Sequence, residues 1–370
     1  MSRFFTSRYA ALVPYTPGEQ PQDKQYVKLN TNESPFPPSP GVAAAAAREA
    51  ANCRLYSDPE SRAVSAAFAA SLGLRREQVL ATNGSDEALN FAFMAFGDAL
   101  AFPDISYGFY PVFAALNHIP YTEIPLREDL SIAPEDYWNC GRMVVIANPN
   151  APTGLALRRD EIKQIVRRNP DHVVLIDEAY VDFGAESAVG LIERYDNLLV
   201  VQTFSKSRSL AGARLGFAIG NEALIRDLNT IKYSTNPYNV NRMTAAAGLA
   251  ALREDGYYKA NARLIQENRA YTREGLRALG FEVPESSANF VFARHPGLAG
   301  ETLYRKLKAR GVLVRHFNKP CIDGYVRVTI GTREQMELFL RETESILKEA
   351  EALDRQRSGG RPPRRKSPSR

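Results

Sequence analysis

VVLIDEAYVDF spans residues 173–183, and LLVVQTFSKSRSLAGARLGFAIG spans residues 198–220. Each opens on a short, uninterrupted apolar run, the mark of a strand buried on both faces. Each run then breaks into chemistry: Asp177-Glu178 in the first, Ser205-Lys206 in the second. The same pattern lies upstream in MVVIAN (143–148), ended by Pro149, and downstream in GFAIG (216–220). RRDEIKQIVRR (158–168) between two of these runs has helical spacing. Strands alternating with helices predict a mostly parallel sheet with helices on both faces, an α/β fold. In such a sheet ligand chemistry gathers at the carboxyl ends of the strands. The residues found there are NPNAPTG (148–154), Asp177-Glu178 and Ser205-Lys206. A lysine just past a buried strand, near an acid at the end of its neighbour, stands where covalent chemistry on a carbonyl group can be placed.

Farther on, NARLIQENRAYTREGLRALG (261–280) predicts a long amphipathic helix that stops at Gly280. ANFVFAR (288–294), GVLVRHF (311–317) and YVRVTIG (325–331) read as strands, and REQMELFLRETESILKEAEAL (333–353) as a last helix. The predicted organisation is an N-terminal arm (1–45), a large α/β domain (46–260), a smaller α+β domain (261–353) and a disordered basic tail (354–370).

Charge and composition narrow the function classes. The 370 residues carry a formal net charge of +5, but residues 355–370 hold seven Lys/Arg and no acid. Removing them takes the remainder from +5 to −2, so the basic balance belongs to a Pro/Gly/Ser-rich extension and nucleic-acid binding is not expected. No run approaches the roughly 18 apolar residues of a membrane helix. The opening MSRFFTSRYAALV is interrupted by Arg8 and reads as a short surface arm rather than a targeting peptide. Three scattered cysteines, Cys53, Cys140 and Cys321, suit a reducing cytoplasm. The four histidines have no metal-ligand spacing, so no metal is expected. Neither a P-loop nor GxGxxG is present, which argues against a nucleotide ligand.

Five motifs, in this order, carry a family resemblance: TNGSDEAL (82–89), NPNAPTG, LIDEAYVDF, TFSKSRSLAGARLGF (203–217) and VRVTIGT (326–332). Together they resemble the fold-type I aminotransferases, which use pyridoxal 5'-phosphate. LVPYTPG (12–18), KLNTNESPFPP (28–38) and RLYSDPES (54–61) are similar to the histidinol-phosphate aminotransferases within that group. The likeness covers about residues 12–353.

The resemblance implies a role for each matched residue. Lys206 would carry the cofactor covalently and shuttle the substrate proton. Asp177 would hold the proton on the pyridine nitrogen, and Tyr180 would donate to the ring hydroxyl oxygen. Gly84, Ser85 and Asp86 open a helix whose N–H groups would take the phosphate, with Ser205 and Arg214 completing the cup. Tyr107 would stack on the ring. Tyr56 would reach the phosphate of a neighbouring subunit, making a homodimer. Where the family usually has Asn before PTG, this chain has Ala151, so Asn150 or Asn148 would have to supply the contact, or Tyr180 alone. Arg327 and Arg315 would grip substrate carboxylate or phosphate, with Tyr15 and Asn32 lining the pocket. The implied reaction exchanges an amino group between L-histidinol phosphate and 2-oxoglutarate. A related enzyme for aromatic amino acids or threonine phosphate is the alternative, and a cofactor-binding regulator a more distant one.

Overall fold

A computed structural model describes residues 2–359. Seven strands form the central sheet, in the order Val79–Thr82, Gly216–Gly220, Leu198–Thr203, Val174–Asp177, Met143–Ala147, Leu100–Pro103 and Tyr121–Ile124. Gly216–Gly220 runs antiparallel to both neighbours, and every other adjacent pair is parallel. Alternate residues of the central strands feed two apolar layers. Val144, Ile146, Val174, Ile176, Leu198 and Val200 pack under the helices Arg62–Ser71, Arg159–Arg167 and Arg242–Arg253. Met143, Val145, Leu175, Leu199 and Val201 pack under Gly84–Phe96, Tyr110–Leu116 and Glu222–Thr235. Burying both faces is what makes these strands read as continuous apolar runs, each such side chain contributing roughly 1.5–3 kcal/mol. The edge strand Tyr121–Ile124, sequence YTEI and mostly exposed, has no such signature and was not expected.

The smaller domain has an antiparallel sheet in the order Arg315–His316, Tyr325–Thr329, Phe290–Arg294. GVLVRHF is not the single strand expected. Val312–Leu313 pairs in parallel with Val27–Lys28, and only Arg315–His316 joins the antiparallel sheet. The arm therefore changes character along its length. Residues 2–8 are exposed, as the sequence implied, whereas Leu29, Asn30 and Asn32 are buried, with Leu29 in the smaller domain's core.

Two expected boundaries fall inside helices. Pro40–Ala50 crosses the 45/46 division, and Asp255–Ala278 crosses 260/261. The second was placed late because Gly256 weakens the helical signal in the first turn. The last helix is also longer than read, Arg333–Gly359. Arg355, Gln356 and Arg357 are good helix formers, so propensity continues past Leu353 into the stretch assigned to the tail. Residues 360–370 of that tail lie outside the described residues.

Candidate active site

Two adjoining hollows open at the carboxyl ends of the sheet strands. The smaller, about 190 Å³, is lined by Ser85, Asp86, Tyr107, Asp177, Tyr180, Ser205, Lys206 and Arg214, among others. The larger, about 390 Å³, is lined by Tyr15, Asn32, Arg315, Lys319 and Arg327, among others. Thr31, Tyr107, Ala151, Tyr180 and Lys206 line both, so a ligand in one reaches the other past the lysine.

Asp177 ends its strand 4% exposed. Tyr110 Oη donates to its Oδ2 at 3.0 Å and the Ala179 amide to its Oδ1 at 3.1 Å. Burial outweighs these two bonds and pushes its pKa up to about 6. A buried carboxylate in that state is a strong partner for a cationic ring nitrogen. Glu178, next in sequence, is consumed by structure: Ser187 Oγ, the Ala188 amide and Gln202 Nε2 all donate to it. Lys206 Nζ donates to the Thr31 carbonyl at 3.3 Å and stands 5.9 Å from the Tyr180 ring centre. The Tyr180 hydroxyl accepts from Asn32 Nδ2 at 2.9 Å.

The smaller hollow also takes in a helix start and a guanidinium group. The helix Gly84–Phe96 starts there, with Ser85 and Asp86 in its first turn. Gly84 has φ +73°, and a Cβ on it would sit 2.5 Å from Arg214 Nη2. A Cβ on Gly216 would meet the Gly84 carbonyl carbon at 2.5 Å, so neither position tolerates a side chain. Arg214 Nη2 is paired with Asp86 Oδ2 at 2.8 Å, and the Tyr107 hydroxyl donates to Asp86 Oδ1 at 2.8 Å. Asp86 thus aims both the arginine and the tyrosine. Ser205 Oγ accepts from Thr203 Oγ1 at 2.9 Å.

In the larger hollow Arg315 and Arg327 are register partners on adjacent strands. Arg327 lies over the Phe290 and Phe317 rings at 5.3 and 5.6 Å. Its Nη2 donates to the Asn30 carbonyl at 2.9 Å, while its buried Nε has no partner. Burial pushes its pKa down. Arg315 donates to the Thr16 and Pro17 carbonyls at 3.3 Å each. Tyr15 stacks on Phe109 at 4.2 Å, and burial raises its pKa despite the two arginines.

The chain matches the family model for aminotransferase class I and II over residues 24–342. It is 48% identical over 353 residues to a histidinol-phosphate aminotransferase of Brachyspira hyodysenteriae, covering 94% of this chain and 100% of that protein. The chain belongs to the class I and II aminotransferases. A Marinomonas histidinol-phosphate aminotransferase is 51% identical over 343 residues, covering 91% and 97% of the two chains. In fold, this aminotransferase matches the Sinorhizobium meliloti histidinol-phosphate aminotransferase solved in complex with pyridoxal-5'-phosphate, with a TM-score of 0.86. That match has 21% identity and covers 94% of this chain and 99% of the other, so it speaks to the fold alone.

Asn150, Asn148 and Tyr56, named from the sequence, line neither hollow in this aminotransferase. Asn150 faces away from both hollows. Its Nδ2 donates to the Ile105 carbonyl at 2.9 Å and its Oδ1 accepts from Ser106 Oγ at 2.8 Å, so it braces two loops. Asn148 is spent on the backbone of Leu157 through both amide atoms. Ala151 lines both hollows instead, together with Tyr180. Tyr56 touches neither hollow of its own chain. It is 79% exposed and stacked on Tyr238 at 4.4 Å. Sequence reasoning missed Tyr110, Thr31 and Lys319. Tyr110 lies three residues past Tyr107 in the motif, and only the start of its helix at that residue turns it toward Asp177.

Proposed function

We propose that this enzyme exchanges an amino group between L-histidinol phosphate and 2-oxoglutarate, yielding imidazole-acetol phosphate and L-glutamate, with pyridoxal 5'-phosphate held on Lys206. The observation that carries the substrate reading is the pair Arg315–Arg327. These two side chains face one hollow beside the lysine, and among the described residues the hydrogen-bond acceptors they meet are backbone carbonyl oxygens. A cation pair so under-satisfied is built for a multiply charged anion. The relatives named above carry the same activity in their names.

The cofactor fits the smaller hollow on this chain's own terms. A buried carboxylate, a lysine and a helix N-terminus with an arginine line one hollow, partners suited to a ring nitrogen, an aldehyde and a phosphate. When bound, it supplies an electron sink for breaking the substrate Cα–H bond. Asp177 keeps the proton on the ring nitrogen. Tyr180 holds the ring hydroxyl oxygen. Arg214, Ser205 and the first-turn amides of Gly84, Ser85 and Asp86 anchor the phosphate, and Tyr107 covers the ring. Lys206 Nζ would take the proton from the substrate Cα and deliver it to the far side of the C–N bond. Arg327 and Arg315 fix the anion of whichever substrate is present, the phosphate of one or the carboxylates of the other. Tyr15 lines the wall of the larger hollow, and Asn32 holds the Tyr180 hydroxyl beside it.

Tyr56, exposed and aromatic, is read as a contact to the phosphate of a second subunit, which makes the active unit a homodimer. Among the described residues no helix is long and apolar enough to cross a membrane. With small polar substrates, the cytoplasm is the proposed compartment.

The test is a comparison of kcat/KM for histidinol phosphate, phenylalanine, aspartate and threonine phosphate. Histidinol phosphate should lead by about tenfold or more. An aromatic amino acid in the lead, or carbon dioxide released from threonine phosphate, overturns the substrate assignment.

A further inference from the structure

The strands carrying Arg315 and Arg327 are joined by the loop Phe317–Gly324, and Lys319 in that loop lines the same hollow as the two arginines. The loop is held in place from several sides. Ile322 packs with Ile105, Phe292 and Tyr325, joining the two domains. The Ile322 amide donates to the Lys319 carbonyl at 2.9 Å and the Tyr325 amide to the Ile322 carbonyl at 3.0 Å. From this base Lys319 reaches across the mouth to the large domain, where its Nζ donates to the Asp104 carbonyl.

An ammonium group has three N–H donors, and a carbonyl uses one of them. Like Arg315 and Arg327, Lys319 therefore faces the hollow with donors to spare and with a neutral oxygen as its protein partner. The acids lining the hollow are Asp104 and Glu123. Asp104 Oδ1 already accepts from the Leu126 amide at 3.0 Å.

Two arginines match a carboxylate, which has one charge and two oxygens. A phosphate monoester near neutral pH has between one and two charges and three terminal oxygens. A third cation at the rim adds most where that extra charge and oxygen are present. We propose that Lys319 is a specificity-determining residue, a third cationic contact that selects a phosphorylated amine over a dicarboxylate. This rests on the phosphorylated-substrate reading above.

The experiment compares wild type with Lys319→Ala and Lys319→Arg. For Lys319→Ala, the ratio of kcat/KM for histidinol phosphate to that for histidinol should fall about 10- to 100-fold, the scale of one hydrogen bond to a charged group. The loss should lie in KM, kcat/KM for glutamate should fall less than about a third as far on a logarithmic scale, and Lys319→Arg should restore most of the ratio. Inorganic phosphate, as a competitive inhibitor, should bind Lys319→Ala at least about tenfold more weakly. That arm reads the anion site whichever amine the wild type prefers, so a failed substrate assignment and a failed Lys319 assignment give different results. Equal losses for histidinol and histidinol phosphate, or an unchanged inhibition constant for phosphate, would make Lys319 a strut between domains and end the proposal.

Discussion

Replacing Asp177 by asparagine should stabilise the cofactor-free protein while disabling the enzyme, and the structure gives the size of the first effect. The carboxyl group is buried, and its pKa rises from its ordinary 3.8 to about 6. The folded chain thus holds this proton more tightly than the unfolded chain. Stability contributed by the neutral form is complete below about pH 4 and is lost as pH rises toward 6. At pH 8 the buried charge costs about 3 kcal/mol, two pKa units at about 1.4 kcal/mol each, and at pH 5 about half of that. Asparagine keeps the shape and has no proton to lose. Its Oδ1 can still accept from the Ala179 amide, and its Nδ2 can donate to the Tyr110 oxygen once that hydroxyl turns. Urea unfolding of the two cofactor-free proteins at equal concentration, at pH 5 and pH 8, reads the difference. Asp177→Asn should be more stable at both, by about twice as much at pH 8. The loaded enzymes should behave in the opposite sense, because the carboxylate then faces a ring cation and its charge is useful. There kcat should fall about a hundredfold or more with the cofactor still bound through the phosphate contacts. An Asp177→Asn protein no more stable than wild type at pH 8, or with a gain independent of pH, would refute the burial argument. A near-normal kcat would show that another group partners the ring.

Lys206→Ala should lose turnover by about 10³-fold or more, and the visible absorbance band of the wild type should bleach with borohydride, leaving the cofactor's mass on Lys206. Comparable turnover in the variant would remove the lysine from the reaction. If Tyr56 serves the neighbouring subunit, mixing inactive Lys206→Ala chains with Tyr56→Ala chains should recover part of the activity, since a mixed dimer has one site free of both lesions. Proven subunit exchange without recovery would place Tyr56 outside the partner's site. Arg315→Ala should cost about 2–4 kcal/mol in kcat/KM for histidinol phosphate and far less for histidinol, with the cofactor spectrum unchanged. Equal loss on both amines would show that Arg315 does not read the phosphate.

The large domain was legible in the chain because its chemistry sits where apolar runs stop. Val174–Asp177 and Leu198–Thr203 were read almost to the residue, and Asp177 and Lys206 follow from those ends. Arg315 and Arg327 were legible as a pair because two strands joined by a short loop place them side by side. What failed needed long-range information. Sequence left Asn150, Asn148 and Tyr180 open for one contact, and only the fold shows that the Asn150 side chain bonds Ile105 and Ser106, some forty-five residues earlier. The strand Tyr121–Ile124 is stabilised by one neighbour at a sheet edge and leaves no periodic trace. Lys319 belongs to an eight-residue loop without a motif, and only the fold brings it over the mouth.

The N-terminal arm shows why the two halves of the site are one device. Asn32 sits at φ +57°, a strained conformation for a non-glycine residue, and is buried. That cost is offset because the backbone N–H, the carbonyl and both side-chain amide atoms of Asn32 are all hydrogen-bonded. The Asn32 backbone N–H donates to Thr329 Oγ1 at 2.9 Å, and that hydroxyl donates back to Asn32 Oδ1 at 3.0 Å. Asn289 Nδ2 donates to the Asn32 carbonyl at 2.9 Å, and Asn32 Nδ2 donates to the Tyr180 hydroxyl at 2.9 Å. Thr329 lies two residues from Arg327 on the same strand, and so on the same face. The neighbouring Thr31 carbonyl holds Lys206 Nζ, and the Asn30 carbonyl holds Arg327. Three consecutive arm residues therefore hold Lys206, Tyr180 and Arg327. A buried network of this kind is costly if any one partner is lost, since each orphaned group then bears its full desolvation. The arm thus ties Lys206 and Arg327 to one short backbone segment, so a change in Asn30, Thr31 or Asn32 should disturb both side chains together.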